Sequence, residues 1–361
     1  MRFIISGGGT GGHIYPAIAI AEAIKKQMPE AEFLFIGAKG KMEMEKVPQA
    51  GYKIEGLWIS GFQRKELLKN ISLPFKILFS MIKVWGLISK FKPDAVIGVG
   101  GYASGVALKV AGWRKIPTLI HEQTSYAGKT NQLLAKTARK ICVAYDSMER
   151  FFPKDKLILT GNPVRQDILD ISTKKVDGLN HYGLSSDKKV ILVTGGSLGA
   201  KTINESIGNS LAELNSANVQ IIWQVGKFYF ETFSPLAAAM PAVKVLGFID
   251  RMDLAYAAAD LVIARAGALT ISELCTSGKA AILIPSPNVA EDHQTSNAMS
   301  LVKKDAAILV KDSEAREILV KTALDLLKDE KRIQELEINI KKLAMPDASE
   351  RIAKECLALK K

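Results

Sequence analysis

Short apolar runs alternate with amphipathic stretches along most of the chain, and this alternation predicts the secondary structure. The runs are rich in Ile, Val, Leu and Phe, and many end in glycine or polar residues. Such runs are typical of strands buried on both faces, and strands that alternate with helices favour a parallel, doubly wound sheet. We predict strands at 3–5, 32–36, 52–59, 94–99, 118–121, 140–143, 157–159, 189–193, 219–225, 243–248, 261–264, 280–284 and 306–310.

The opening pattern of the chain recurs in its second half. A polar stretch at 170–189 predicts a linker, and beyond it an apolar strand, a glycine turn and a helix at 201–214 follow as they do at the N-terminus. We therefore expect an α/β protein of two Rossmann-like domains that face a cleft, with ligands at the carboxyl ends of the strands.

The domain boundaries follow from the same pattern. We expect a first domain at 1–162 and a second at 163–343. Helical sequence continues from 313 and is interrupted at Met345-Pro346-Asp347. The segment 344–361 after this break is expected to form a helix that packs back on the first domain.

A glycine-rich turn follows the first strand, at Gly7-Gly8-Gly9-Thr10-Gly11-Gly12-His13. Glycines let a backbone fold tightly and approach a ligand, and the start of the next helix attracts anions. The turn also matches the dinucleotide fingerprint, which requires an acidic residue after the second strand. Gly37-Ala38-Lys39 stands there instead, so a nicotinamide enzyme is disfavoured. A plain tight turn is the alternative for the glycines, and an ordinary helix start is the alternative for His13.

The segment 67–91 is the most continuously apolar part of the chain. Lys69, Lys76, Lys83 and Lys90 recur in it at every seventh residue, which places them on one face of a helix. They interrupt the apolar sequence too often for a comfortable membrane span. Two interpretations stay open: a basic amphipathic helix on an anionic membrane, and a core helix with a solvated lysine stripe. The residues expected at a membrane are Phe75, Phe79, Ile82, Trp85, Lys76 and Lys83.

Composition narrows the class of partner and the compartment. The net charge is +12 and the isoelectric point about 9.4, which favours a polyanionic partner such as nucleic acid, an anionic membrane or phosphorylated substrates. The basic residues are dispersed and only 7% of residues are aromatic, so a nucleic-acid-binding module is disfavoured. Three separated cysteines and a first strand at Arg2 predict a cytoplasmic protein without a leader peptide or a zinc site.

Three further loops at predicted strand ends carry chemistry suited to a phosphosugar. The glycine turn 98–105 places Ser104 where it can cap a helix or bind an anion, and the turn 195–200 offers the Ser197 hydroxyl. In 265–273, the amides at a helix start can meet phosphates while Glu273 accepts ribose hydroxyls. A helix cap for Thr270 and a surface role for Glu273 are the alternatives.

The motifs together resemble the MurG family of GT-B glycosyltransferases over essentially the whole chain. The residues that carry the resemblance are 8–13, 98–104, His121-Glu122-Gln123, 161–165, 195–200, 267–273 and His293-Gln294. The resemblance implies an inverting enzyme that moves N-acetylglucosamine from UDP-N-acetylglucosamine to the C4 hydroxyl of the muramyl sugar of lipid I. The product would be lipid II, the peptidoglycan precursor.

The resemblance also implies which residues bind the substrates. Donor contacts are implied for Thr10, Gly11, Gly12, Thr124, Arg165, Ser197, Ile249, Ala268, Leu269, Thr270, Glu273 and Gln294, and acceptor diphosphate contacts for Gly100, Gly101, Tyr102 and Ser104. The family has an asparagine where this chain has Thr124. The implied partners are the donor, lipid I, an anionic membrane surface and other proteins of cell-wall synthesis, with the enzyme peripheral on the cytoplasmic face of the plasma membrane.

The chemistry of the transfer suggests roles for three side chains. Displacement at the anomeric carbon builds negative charge on the departing diphosphate, which helix-start amides and Arg165 can stabilise without a metal or another cofactor. The acceptor hydroxyl must lose a proton, and His13, with an ordinary pKa of about 6.5, is the first candidate for the base. Glu122 is the second candidate.

Three other functions are alternatives to this transfer: two enzymes and one binding module. A glycolipid synthase of the same fold would use diacylglycerol, but a loop able to hold a second diphosphate favours a pyrophosphate lipid. A UDP-sugar 2-epimerase would act on a soluble substrate and has no use for the lysine-striped helix. The third rival is the nucleotide- or nucleic-acid-binding module.

Overall fold

Two compact units make up the chain. A computed structural model describes residues 1–9, 11–61, 70–289 and 292–359. Contacts divide it into a first unit, Met1–Pro163 with Pro346–Lys361, and a second unit, Val164–Met345. Each unit has its own parallel sheet with helices on both faces.

The first unit is built on a parallel sheet ordered β3-β2-β1-β4-β5-β6-β7. Each strand in it was predicted from its apolar run, because a strand covered on both faces has little need for polar residues. Order reverses at β1, whose neighbours are β2 and β4, and ligands in such sheets bind at this reversal. The strands are Arg2–Ser6 (β1), Glu32–Ala38 (β2), Ile54–Leu57 (β3), Ala95–Gly98 (β4), Thr118–Glu122 (β5), Lys140–Val143 (β6) and Leu157–Leu159 (β7).

Helices cover both faces of this sheet and complete its core. The last of them lies against α1 and buries Ile352, Ala353 and Cys356 in the same apolar cluster as Phe3 and Ile5 of β1. The C-terminal segment is thus part of the first unit. The helices of this unit are Gly11–Gln27 (α1), Glu43–Gln49 (α2), Leu73–Phe91 (α3), Tyr102–Trp113 (α4), Lys129–Ala135 (α5) and Ala348–Leu357 (α16).

The second unit repeats this arrangement with sheet order β10-β9-β8-β11-β12-β13, all parallel. Its order reverses at β8, between β9 and β11, so the turns after β8 and β11 lie next to each other. The strands are Val190–Thr194 (β8), Gln220–Gln224 (β9), Val243–Leu246 (β10), Leu261–Ala264 (β11), Ala281–Leu283 (β12) and Ile308–Leu309 (β13).

The prediction that 170–189 is a linker was wrong in part. Lys175–Tyr182 is a helix (α7) that packs on α11, so closely that a Cβ atom at Gly178 would lie 2.4 Å from the Leu254 carbonyl. A helix of eight residues needs few apolar positions to be anchored, so its sequence looked like a loop. The other helices are Gln166–Leu169 (α6), Lys201–Asn209 (α8), Leu211–Ser216 (α9), Phe230–Phe233 (α10), Met252–Ala258 (α11), Ala268–Ser277 (α12), His293–Val302 (α13), Ala315–Lys328 (α14) and Glu330–Lys341 (α15).

Candidate active site

The glycine turn after β1 positions His13 in the first turn of α1. Gly8 and Gly9 have φ angles of +153° and +92°, which side chains rarely adopt, and this turn directs the Gly8 carbonyl at the imidazole. His13 Nδ1 donates to that oxygen over 3.0 Å, so the proton is on Nδ1 in the neutral ring. Gly11 and Gly12 open the helix, whereas Thr10 lies outside the described residues.

A carboxylate that the sequence did not point to fills the inside of this turn. Glu43, in the first turn of α2, is 1% exposed. Its Oε2 accepts from the Gly9 N–H (3.0 Å) and its Oε1 from the Ala38 N–H (2.9 Å). The amide of Gly9 therefore binds an internal anion rather than a ligand. A glutamate at the start of a short amphipathic helix looks like a surface residue, so no local signal identifies it.

The turn after β4 lies directly against this site. A Cβ atom at Gly100 would lie 2.7 Å from His13 Nε2, and one at Gly101 would lie 2.5 Å from the Gly8 carbonyl oxygen. Both positions therefore require glycine. Tyr102 is exposed, whereas Ser104 is fully buried and its Oγ has no hydrogen-bond partner among the described residues. The loop thus presents Gly100, Gly101 and Tyr102 near His13 and turns Ser104 into the core.

The end of β5 carries a carboxylate whose two oxygens are both engaged. Glu122 Oε1 accepts from the Thr124 amide (3.2 Å). The Thr124 hydroxyl shares its single hydrogen between Oε1 (2.9 Å) and the Tyr126 carbonyl (2.6 Å). Its Oε2 accepts from the Gly128 amide (3.0 Å) and from Asn131 Nδ2 (2.8 Å). Thr124 thus binds Glu122 from within its own loop, and the side chain organises residues 122–131.

His121 lies beneath this loop as a buried neutral imidazole. Its Nε2 bonds the Gly161 carbonyl over 3.1 Å, and its Nδ1 has no partner among the described residues. Burial lowers the pKa of His121 to about 4, and nearby His13 acts in the same direction. The two histidines therefore carry opposite tautomers, His13 with Nδ1–H and His121 with Nε2–H.

The glycine turn after β8 in the second unit is more open. Gly196 and Gly199 have φ angles of +82° and +77°, and the Gly199 amide closes the turn on the Gly196 carbonyl over 3.0 Å. Gln224 Nε2 donates to the same carbonyl (2.8 Å). Ser197, at the tip, is exposed.

Arg165, the residue before α6, holds unused hydrogen-bond donors. Its Nε lies 3.5 Å from an Asp167 carboxylate oxygen as an ion pair, but its buried Nε and Nη2 have no hydrogen-bond partner among the residues the structure describes. Buried guanidinium groups without such partners are costly, so this one is suited to an anionic ligand. The start of α12 also suits one, since Gly267 is its N-cap and the amides of Ala268, Leu269 and Thr270 open the helix.

Glu273 of α12 contacts a tyrosine of α11 that the sequence did not point to. Tyr256 donates its hydroxyl hydrogen to Glu273 Oε2 over 3.1 Å. Burial raises the pKa of Glu273 to about 7, while Arg165 and the Tyr256 hydrogen bond act to lower it. Tyr256 is hidden in the alanine-rich helix α11, so its sequence looks like plain core.

Two further expected donor residues lie on neighbouring loops. Gln294, in the first turn of α13, accepts from the Ser286 amide through Oε1 (2.9 Å). Ile249 is 2% exposed, and its amide donates to Gln224 Oε1 over 3.0 Å. Any ligand contact of Ile249 would therefore use its carbonyl oxygen.

Helix α3 exposes much of its apolar surface, and two of its lysines bond to neighbouring residues. Lys90 is exposed, and Lys69 lies outside the described residues. Lys76 donates to the Ser60 hydroxyl (3.1 Å), and Lys83 bonds the Gly56 carbonyl (3.1 Å) and pairs with Glu55 (2.7 Å). The exposed apolar side chains favour an amphipathic helix over a core helix with a solvated lysine stripe. None of the described helices combines the length and apolar character that crossing a bilayer requires. The exposed side chains of this surface, which we call the apolar face, are Phe75, Ile77, Leu78, Phe79, Ile82 and Trp85, with Trp58 beside Phe79.

Two family models cover most of the chain. The N-terminal domain of glycosyltransferase family 28 matches residues 3–143, and its C-terminal domain matches residues 190–352.

Named relatives are similar over nearly the whole chain. The UDP-N-acetylglucosamine--N-acetylmuramyl-(pentapeptide) pyrophosphoryl-undecaprenol N-acetylglucosamine transferase of Flavobacterium psychrophilum is 55% identical, over 99% of this chain and 97% of that protein. The protein of the same name from Cytophaga hutchinsonii is 54% identical, over 97% of this chain and 95% of its own length.

Solved structures confirm the fold. Acinetobacter baumannii MurG superposes with a TM-score of 0.78 at 30% identity, covering 99% of both chains. A UDP-GlcNAc 2-epimerase from Neisseria meningitidis, bound to UDP-GlcNAc, superposes with a TM-score of 0.70 at 16% identity, covering 99% of this chain and all of that one. The latter shows a shared fold alone. The predicted fold class, two Rossmann-like domains of GT-B type, is confirmed.

Proposed function

This chain belongs to glycosyltransferase family 28, among the MurG enzymes, and from that premise we propose that it transfers N-acetylglucosamine from UDP-N-acetylglucosamine to lipid I. The product is lipid II, so the reaction serves peptidoglycan synthesis and with it cell shape and division. The observation that carries the proposal is the 55% identity to a transferase of that name across 99% of the chain.

The reaction inverts the anomeric carbon of the donor sugar. The C4 hydroxyl oxygen of the muramyl sugar bonds to that carbon while the bond from the carbon to the β-phosphate oxygen breaks. UDP leaves with the electron pair, and the hydroxyl proton passes to a base. Catalysis therefore needs a cationic or amide-lined site for the departing diphosphate and a neutral base for the acceptor.

We assign the donor diphosphate to the second unit. The unused donors of Arg165 and the amides that open α12 supply positive potential without a metal, and the exposed Ser197 hydroxyl is available at the neighbouring turn. Glu273 accepts the ribose hydroxyls with the oxygen that Tyr256 leaves unused. Gln294 contacts the sugar, and the Ile249 carbonyl accepts from uracil.

We assign the base to His13. In the tautomer set by the Gly8 carbonyl, Nε2 carries the lone pair that takes the acceptor proton, and this atom lies beside the Gly100 turn. Gly100, Gly101 and Tyr102 hold the acceptor diphosphate. Glu122 is less suited to proton transfer because Thr124, Gly128 and Asn131 already donate to it. We therefore assign to Glu122 the role of ordering the loop 122–131.

We propose that the apolar face docks on the cytoplasmic leaflet of the plasma membrane, where the lipid substrate resides. Phe75, Phe79 and Ile82 are each more than half exposed. Arg114 lies 4.7 Å above the Trp85 ring, which combines a cation and an amphipathic ring as at membrane interfaces. The net charge of +12 is attracted by the anionic lipids of that leaflet. Contacts with other cell-wall proteins stay a prediction.

Transfer of radiolabelled N-acetylglucosamine tests the reaction. Purified protein is given the labelled donor with lipid I, with diacylglycerol, or with no acceptor. We expect label in lipid I alone. Label in diacylglycerol, or conversion of the donor to its 2-epimer without acceptor, would replace the proposal with the corresponding rival.

Vesicle binding tests the membrane surface. We expect sedimentation with phosphatidylglycerol vesicles to exceed that with phosphatidylcholine vesicles. Phe79→Ser should weaken it about 10- to 100-fold, since each buried aromatic contributes about 1.5–3 kcal/mol. Phe228→Ser removes an even more exposed ring (79% against 57%) from the second unit and is the control. Equal losses in both variants would contradict docking through the apolar face.

A further inference from the structure

Glu43 is a buried carboxylate of the first unit that the reaction above does not use. It is 1% exposed and accepts two backbone hydrogen bonds, one from the glycine turn after β1 and one from the end of β2. A carboxylate has acceptors only, so both oxygens suit the two N–H groups that face them. The side chain thus joins two strand ends through a single charge.

The glycines around it reserve the space it occupies. A Cβ atom at Gly8 would lie 2.1 Å from Glu43 Oε1, and one at Gly37 would lie 2.5 Å from its Cγ. Neither position has room for any side chain while Glu43 is in place. These two positions therefore need glycine because of the Glu43 carboxylate, and not because a ligand approaches them.

The same turn holds the proposed base. Gly8 lies against the Glu43 carboxylate and presents its carbonyl to His13 Nδ1, while the next residue, Gly9, donates its N–H to Glu43. The Gly8–Gly9 peptide is thus held at its N–H by Glu43, and its carbonyl oxygen accepts the hydrogen bond from the His13 imidazole. Any rotation of this peptide would move the Gly8 carbonyl away from Nδ1.

We propose that Glu43 is a positioning residue for His13. By holding the Gly8–Gly9 peptide it keeps the proton of the neutral ring on Nδ1 and leaves the lone pair on Nε2, toward Gly100. The proposal deepens the function proposed above and rests on it for its catalytic meaning, but the positioning itself is a property of the protein without substrate.

The variant Glu43→Gln isolates this effect. It keeps the volume of the side chain but replaces one oxygen with an NH2 group, which cannot accept from the N–H it would face. Asp94→Asn is the matched control, because Asp94 Oδ2 also accepts a backbone hydrogen bond (Arg2 N, 2.7 Å) but at the opposite end of β1.

Nitrogen NMR of the protein labelled with 15N-histidine reads the tautomers directly. The chain has four histidines, and His13→Ala assigns the signal of interest. Above pH 8, in wild type and Asp94→Asn, we expect His13 with Nδ1–H and His121 with Nε2–H. In Glu43→Gln the ratio of His13 tautomers should shift about fivefold or more toward Nε2–H, the effect of losing one hydrogen bond, while His121 is unchanged.

Two results would overturn the proposal. One is a His13 tautomer that stays on Nδ1–H in Glu43→Gln while His121 keeps its wild-type signal. The other needs no variant: a His13 with Nε2–H in the wild-type protein. The second result keeps the proposal falsifiable even if Glu43→Gln does not fold, which a changed His121 signal would reveal.

Kinetics separates this proposal from the proposed function. In the lipid I assay we expect Glu43→Gln to lower kcat about 10- to 100-fold, because small displacements of a reacting group are costly, with KM for the donor unchanged. In a His13→Ala background, Glu43→Gln should lower kcat no further, since both substitutions remove the same contribution of His13 to catalysis. A wild-type protein with the expected tautomers but no transfer would reject the function and leave the positioning intact. Additive losses would contradict action through His13.

Discussion

The glycine turns after β1 and β8 share a sequence pattern and differ in what fills them. In the turn after β1, the Gly9 amide binds Glu43 from the same unit. The second unit instead leaves two buried nitrogens of Arg165 without hydrogen-bond partners among the described residues, and its turn after β8 exposes Ser197. One site is closed by an internal carboxylate and the other is open to an external anion.

This difference separates two uses of one supersecondary unit. A glycine turn before a helix is commonly an anion site because its amides and the helix start offer positive potential. Where an internal carboxylate takes the amide, the turn becomes a rigid mount for a side chain, here His13. The glycine pattern alone therefore does not distinguish a phosphate site from the support of a base.

The largest effect is expected from removing the side chain that the turn after β1 holds. His13→Ala should lower kcat about 10²- to 10⁴-fold, the usual contribution of general base catalysis, and leave KM for the donor nearly unchanged. Steady-state kinetics with lipid I measures both. His181→Ala, which removes an exposed histidine in edge-to-face contact with Tyr182 in the second unit, is the control. A rise in donor KM without loss of kcat would contradict the assignment.

The next largest effect is expected from removing Arg165 from the anion site of the second unit. Arg165→Ala should lower kcat/KM for the donor about 10²- to 10³-fold, because the departing diphosphate loses a charge-assisted partner. UDP binding by calorimetry should weaken as well. Arg316→Ala removes an arginine from the same unit that pairs with Glu205 at the surface, and should change neither value. UDP affinity that survives Arg165→Ala would refute the open anion site.

Alanine in each turn sharpens the comparison without touching a catalytic group. Gly8→Ala should destabilise the protein by about 3–4 kcal/mol, combining a positive φ with a clash against Glu43. Gly196→Ala also has a positive φ but open space around its Cβ, so about 1–2 kcal/mol is expected. Urea unfolding followed by circular dichroism compares them, and equal losses would mean that the first turn is not filled.

The smallest effect concerns pH. Burial raises the pKa of Glu273 to about 7, and ribose hydroxyls donate to its ionised form. Donor affinity should therefore be full above this pH and fall below it, to about one tenth of its plateau at pH 6. Calorimetric titration with UDP measures the profile. Glu273→Gln should bind more weakly with a flat profile, and a slope that persists in this variant would assign the titration to another group.

Much of the architecture could be predicted because parallel strands buried on both faces consist of continuous apolar residues. Lys140–Val143, Leu157–Leu159 and Leu261–Ala264 have the bounds that their sequence predicted. The turns at the carboxyl ends were also recognisable, since glycines and helix starts have local signatures. These features depend on residues close together in the chain.

Features set by contacts distant in sequence could not be predicted. Glu43 binds Gly9 across 34 residues, and Tyr256 binds Glu273 across 17. The lysine spacing of α3 placed the lysines on one face but could not show what they contact. Lys76 and Lys83 bond to Ser60 and Gly56, whereas Lys90 is exposed. Helical periodicity defines faces, whereas tertiary contacts decide which face is exposed.

The return of the C-terminal helix to the first unit has a consequence for synthesis on the ribosome. Leu359 and Cys356 are fully buried in the cluster that surrounds β1, so that cluster lacks part of its wall until the last residues emerge. The 182 residues of the second unit are translated in between. At about 5–20 residues per second, the newborn first unit waits roughly 10–40 s with an apolar surface uncovered, a window in which chaperones have a substrate.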